Sequence, residues 1–407
     1  PDRAGYARQP TADLRGIGSV RHQGSLNPAM SSIPDASLPT PAAEPARRHP
    51  AWRGFATNLL IFLLGSLVFY LLKPLALEGG DTALYTEAQW VSIFWREGFV
   101  YYNREPLAHQ LVRLVYLAVG DLHQAFILCS AVSGGLFLVL LRAFSRTRVV
   151  WAAVLVSCLT WNFVGHIELY GATAVVLLLY FIVLVRALEP TPRATPVQAA
   201  LALALAFMTH KLAFFFAPAL LCLAFRRIDG RWRVRPWPAR QWEKVLLIII
   251  GMCALDLLPA IANLLDIRGL LYITFTEGLL DMLTPPSRGW AFWVESRNDT
   301  GMYFLFTLGS PLHLAHFFGF VVAGAPVGLV LLALNWRRIR SATAAPLVVA
   351  SVIGIVWIFV WHPRIGWKDW DLFSMGTLPL NLLAGGAAAG MFERRVGSAA
   401  EEGAEGT

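Results

Sequence analysis

The chain has 407 residues, of which 56% are hydrophobic and only 15% charged, with 15 Trp and 25 Phe. Soluble globular proteins carry roughly 25% charged residues, so this composition excludes an ordinary cytosolic enzyme, a largely disordered chain and a small disulfide scaffold. The formal charge of +8 does not signal nucleic acid, because the basic residues are mostly arginines gathered in short stretches between apolar runs, as at Arg226, Arg227, Arg231, Arg233, Arg235 and Arg240, the positive-inside pattern of cytoplasmic loops.

Residues 1–50 are rich in Pro, Ser, Ala and Arg without apolar periodicity and read as a disordered cytoplasmic tail, with no signal-peptide core. A helix needs roughly 20 apolar residues to cross a bilayer core. On that criterion spans are expected near 55–72, 122–141, 149–165, 171–188, 197–209, 211–225, 245–264, 312–335, 345–361 and 375–392. The expected fold is thus an all-α integral membrane protein, a polytopic domain over 51–395 with about ten transmembrane helices. Residues 396–407 form a second disordered cytoplasmic tail. The segments 197–209 and 211–225 are too short to span alone and read as a hairpin whose tip is Thr209-His210-Lys211.

With both ends in the cytoplasm, the inner loops come out basic and the outer side acidic, as the topology rule requires. Two outer loops are long, 73–121 and 265–311. In the first, Ala83–Trp95 and Pro106–Gly120 have the apolar spacing of amphipathic helices lying in the interface. Cys129, Cys158, Cys222 and Cys253 sit in separate apolar runs with no CxxC spacing, the pattern of free buried thiols.

Chemistry-bearing residues collect at the outer ends of the spans. Glu78 and Asp81 follow the first span; His166, Glu168 and Tyr170 follow the third; His210 and Lys211 form the hairpin tip. Arg364, Lys368, Asp369 and Asp371 follow the ninth, beside Trp367 and Trp370. Ionisable residues near membrane depth are costly and tend to be functional. Each group also has a plain structural reading. Glu78-Gly79-Gly80-Asp81 suits a turn with an Asp cap. His166 and Tyr170, four apart on one helical face, suit an interfacial anchor, and Lys211 can snorkel. The functional reading makes Asp81, with Glu78 in reserve, a general base. The His, Tyr, Lys and Arg groups then bind a sugar or phosphate. The His-x-Glu spacing of His166 and Glu168 matches no familiar zinc pattern; a divalent metal remains compatible, and no cofactor is called for.

An N-terminal span, an acidic outer loop with two amphipathic helices, and then a many-span bundle resembles the GT-C class of integral membrane glycosyltransferases. Asp81 matches the position of the essential acid in that class's first outer loop. The segment Phe163–Tyr170, with Asp369-Trp370-Asp371-Leu372-Phe373, also looks like multi-span bacterial proteins of this kind. The resemblance covers roughly residues 55–392. It departs at Thr82, where many members carry a second acid, and in having no soluble domain after the last span. It implies a polyprenyl-phosphate-linked sugar as donor and a glycan, lipid or protein acceptor. It also implies a bacterial inner-membrane location, with the site facing the periplasm or cell exterior. Rival expectations are a transporter or flippase, which paired broken helices would favour, a glycan polymerase or ligase, and a non-catalytic scaffold.

Overall fold

The computed structural model describes residues 51–76, 106–167, 169–228, 231–264, 308–361 and 369–393. Both expected tails, the stretch Ala83–Trp95 and the second long outer loop up to residue 307 lie outside these residues. Within them the protein is helical: α1 Ala51–Leu71, α2 Pro106–Val119, α3 Leu122–Phe144, α4 Arg148–Leu155, α5 Tyr170–Ala187, α6 Pro196–Thr209, α7 Ala239–Leu264, α8 Pro311–Gly324, α9 Pro326–Asn335, α10 Ala345–Val360 and α11 Trp370–Ala388. Short 3-10 turns occupy Lys73–Leu75, Cys158–Phe163, Trp336–Arg338 and Ala342–Ala344, and a long run of such turns covers Lys211–Ala224. Strands β1 Phe225–Ile228 and β2 Arg231–Val234 pair antiparallel, with Arg226 opposite Arg233. The Arg-rich stretch read as a plain inner loop is therefore a β-hairpin, and the chain is not wholly α.

Boundaries follow local chemistry. Gly120, at φ +75°, closes α2, and Asp121 caps α3 by accepting the Gln124 N–H at 2.9 Å. Thr195 and Gln198 form a reciprocal capping box ahead of Pro196. His210 accepts the Leu212 N–H on Nδ1 at 3.0 Å and so separates α6 from the 3-10 run. That is the hairpin tip expected from the sequence. The 3-10 rise of about 2 Å per residue gives the Lys211–Ala224 arm about 28 Å of reach, just under a bilayer core of about 30 Å, and both arms, Pro196–Thr209 and Lys211–Ala224, are shorter than a full membrane-crossing helix.

Among the described residues four helices are long and apolar enough to cross a membrane: Gly54–Leu71, Leu122–Phe144, Tyr170–Ala187 and Ala342–Val360. A fifth is counted if α8 and α9, bent by 81°, form one broken span. Two expected continuous spans are interrupted. The run 149–165 stops as a helix at Leu155 because hydroxyls take the carbonyls that later N–H groups would have used. Ser157 Oγ donates to Val154 O at 2.6 Å and Thr160 Oγ1 to Leu155 O at 2.7 Å. The run 312–335 breaks at Ala325–Pro326, since Pro326 has no N–H and its ring cannot follow a helical turn.

The core sits around α11. Nearly every side chain from Phe373 to Ala387 is buried, and α4, α5, α8, α9 and α10 all pack on this helix. Backbones approach closely at small residues, as membrane helices do. A Cβ at Gly354 would collide with Gly376 O, and one at Gly65 would lie 2.7 Å from Leu138 Cδ1. At the periphery α1 packs along α3 and α7 along α6. Leu60, Leu63, Leu67 and Leu71 of α1 stay exposed, an apolar face suited to lipid.

Candidate functional site

Helix α11 is the scaffold of the site. Asp371 in its first turn has a carboxylate that is 2% exposed, and Oδ2 lies 2.8 Å from His166 Nε2, itself 2% exposed. A carboxylate can only accept, so Nε2 carries the proton and donates. Oδ1 accepts the N–H of Leu372 at 2.7 Å. Ser374 Oγ donates to Asp371 O at 2.5 Å and accepts from Asn162 Nδ2 at 3.0 Å. Ser130 Oγ donates to His166 O at 2.8 Å. The Trp370 ring stands 5.1 Å from the imidazole. Helix α3, the turns at Cys158–Phe163 and the start of α11 thus converge on one buried, hydrogen-bonded His–Asp pair.

Gly165 allows that convergence. Its φ is +68°, and a Cβ there would lie 2.8 Å from Lys73 Cβ. The chain can therefore turn at Gly165 and lay His166 against α11 while the end of α1 closes over it. Lys73 Nζ donates to the Tyr70 hydroxyl at 3.2 Å and sits 4.4 Å from that ring's centre. Nearby, the Tyr170 and His210 rings are 5.3 Å apart, so the start of α5 meets the hairpin tip. Lys211 follows directly, with Nζ out of solvent. Asp369, half-buried, occupies the position before the first turn of α11.

Of the residues singled out from the sequence, His166 and Asp371 are brought together as a pair, and Tyr170 and His210 as another. Lys211 and Asp369 take their expected places in the chain. Glu78, Asp81, Glu168, Arg364 and Lys368 lie outside the described residues. Sequence reasoning missed Ser130, Asn162 and Ser374. A signal for Ser374 existed: Asp371, Ser374, Thr377 and Asn381 recur at helical spacing and form one polar face, all at 1% exposure or less. Lower on this face Thr377 Oγ1 and Asn381 Nδ2 both donate to Gly324 O, at 2.9 and 2.8 Å. They satisfy the carbonyl that the α8–α9 break leaves without a helical donor. Among the described residues no three His, Cys, Asp or Glu side chains gather to hold a metal.

Beside the ion pair lies an apolar groove of 510 Å³, lined by Leu72, Leu75, Val156, Trp161, Ala323 and Pro326 among others. Residues from both helix interruptions line it, Val156 and Ser157 from one and Pro326 from the other. Cys158 also lines it and lies 4.0 Å through Sγ from Trp370 O, which links groove to ion pair. The arrangement sets an open, largely apolar groove next to the buried His166–Asp371 pair. No protein-family model, no curated protein and no solved structure matches this chain.

Proposed function

We propose that this protein is a polytopic membrane glycosyltransferase of GT-C type. It moves a sugar from a polyprenyl-phosphate donor to a glycan, lipid or protein acceptor on the extracytoplasmic face of the bacterial inner membrane. The observation that carries the reading is the buried His166–Asp371 pair set beside an apolar groove. A lipid-linked sugar phosphate needs an apolar berth for its chain and polar groups for its head, and the two adjoin here. The about ten-span topology, with both ends in the cytoplasm, belongs to the same reading.

Asp81, with Glu78 in reserve, removes the acceptor proton as the hydroxyl attacks the anomeric carbon. The bond from that carbon to the phosphate oxygen breaks, and the configuration inverts. Lys211, Arg364 and Lys368 hold the departing phosphate, a pre-organised electrostatic role. His166 and Asp371, closed to solvent, are positioning residues. They fix Gly165–Ile167, shortly before Tyr170, against the start of α11, which carries Asp369. The test is turnover of polyprenyl-phosphate sugars by the purified chain in lipid, read as release of polyprenyl phosphate. Wild type releases it and Asp81→Asn does not. Release that survives Asp81→Asn moves the base elsewhere.

A second reading, a transporter or flippase, is favoured by one observation: two interrupted helices face one groove, a feature of alternating-access proteins. The groove's apolar lining and the placement of the ion pair at the helix ends weigh for the enzyme. Passage of the intact sugar lipid across the bilayer, without cleavage, would decide for transport.

A further inference from the structure

The opposite end of the bundle gathers arginines around helix C-termini. Arg186 Nη2 donates to Ala143 O of α3 at 3.0 Å, Arg235 Nη1 to Ala187 O of α5 at 2.6 Å, and Arg338 Nη1 to Ala388 O of α11 at 3.4 Å. The N–H groups of Arg340 and Ser341 both reach Phe392 O, and Trp237 Nε1 reaches Leu223 O. These contacts bring the ends of α3, α5 and α11, the α9–α10 link and the β-hairpin to one face. C-terminal carbonyls carry partial negative charge and lack helical donors, so these guanidinium groups are consumed by the fold.

Other cations on this face are not. Arg146, Arg148, Arg233, Arg240 and Lys244 are exposed, and none has a carboxylate partner among the described residues. Glu189 and Glu393 are already engaged, with Arg193 at 3.1 Å and Arg338 at 3.4 Å. Apolar side chains share the rim: Val234 is 74%, Leu334 75% and Trp336 60% exposed. The Arg337 guanidinium stands 5.5 Å from the Trp336 ring and that of Arg235 5.6 Å from the Trp237 ring. Exposed apolar bodies beside unmatched cations suit the boundary between acyl chains and headgroups, where Trp and Arg settle. Exposed Glu243, one turn from Arg240 and beside Lys244, offsets part of this charge; a neutral headgroup layer would leave most of the five cations unmatched, and an anionic one supplies the counter-charge.

We infer that this face docks on anionic phospholipid headgroups and selects them over zwitterionic ones. The selection does not depend on the reaction proposed for the other end. A polybasic surface gains about 1 kcal/mol per cation at an anionic leaflet, or roughly fivefold per fully engaged residue. Shared among the lipids that ring the protein, this gives a several-fold preference.

The test reconstitutes the full chain in phosphatidylcholine bilayers carrying trace spin-labelled phosphatidylglycerol or spin-labelled phosphatidylcholine. The fraction of each label immobilised at the protein is measured. The expected result is a several-fold excess for phosphatidylglycerol that declines as salt shortens the Debye length. The combined variant Arg146→Gln, Arg148→Gln, Arg240→Gln and Lys244→Gln brings it close to parity. Equal immobilisation of both labels by the wild type overturns the inference, as does a preference that high salt and the variant both leave intact. Should the variant fail to fold, the salt dependence of the wild type decides alone.

Discussion

Breaking the His166–Asp371 pair one residue at a time should cost far more than the pair is worth. Both side chains are 2% exposed and 2.8 Å apart. In His166→Ala the Asp371 carboxylate stays buried with only the Leu372 N–H on Oδ1. In Asp371→Ala the Nε2–H loses its acceptor. Removing one partner of a buried ion pair costs about 3–5 kcal/mol, whereas removing both is often close to neutral apart from lost packing. The double variant is therefore expected to be less destabilised than the sum of the singles by several kcal/mol. The assay is a double-mutant cycle on unfolding in mixed micelles, with helix content and Trp fluorescence as probes. Additivity within about 0.5 kcal/mol, the margin for independent sites, would refute the reasoning. It would mean the two groups share no buried interaction.

Gly165→Ala forces a side chain into the left-handed region and toward Lys73 Cβ. It is expected to cost about 1–2 kcal/mol from the backbone alone, seen as a lower unfolding midpoint. Gly354→Ala would drive a methyl into Gly376 O and part α10 from α11, at about 1–3 kcal/mol for overpacking; a wild-type midpoint would show that the helices are not in contact. Asn381→Ala leaves Gly324 O with Thr377 as its remaining side-chain donor, at about 1–3 kcal/mol. Its sharper readout is the distance between spin labels on α8 and α9, which should broaden if Asn381 holds the break and stay unchanged if it does not.

How much of this could be read from the sequence depends on what each feature rests on. Helices α1, α3, α5 and α10 announce themselves through long apolar runs, and the turn at His210 through its polar tip. The interruptions at Ser157 and Pro326 did not, because averaged hydropathy ignores whether a hydroxyl or a missing N–H redirects a carbonyl. The strands at 225–234 carry arginines where a half-buried strand would alternate, so no period marked them. His166 and Asp371 both stood out as chemically unusual, yet 205 residues separate them and spacing cannot show that they meet. Sequence position alone suggests separate substrate contacts; burial and distance make them partners of each other.

The most direct test of the whole account uses sealed proteoliposomes of the full chain with a labelled sugar on polyprenyl phosphate and the acceptor supplied at a single face. Label is expected to leave the lipid only when donor and acceptor lie at the face bearing His166 and Asp371. Asp81→Asn is expected to abolish this release while the protein remains folded. Label that crosses the bilayer still joined to its lipid would contradict the account and make the protein a transporter.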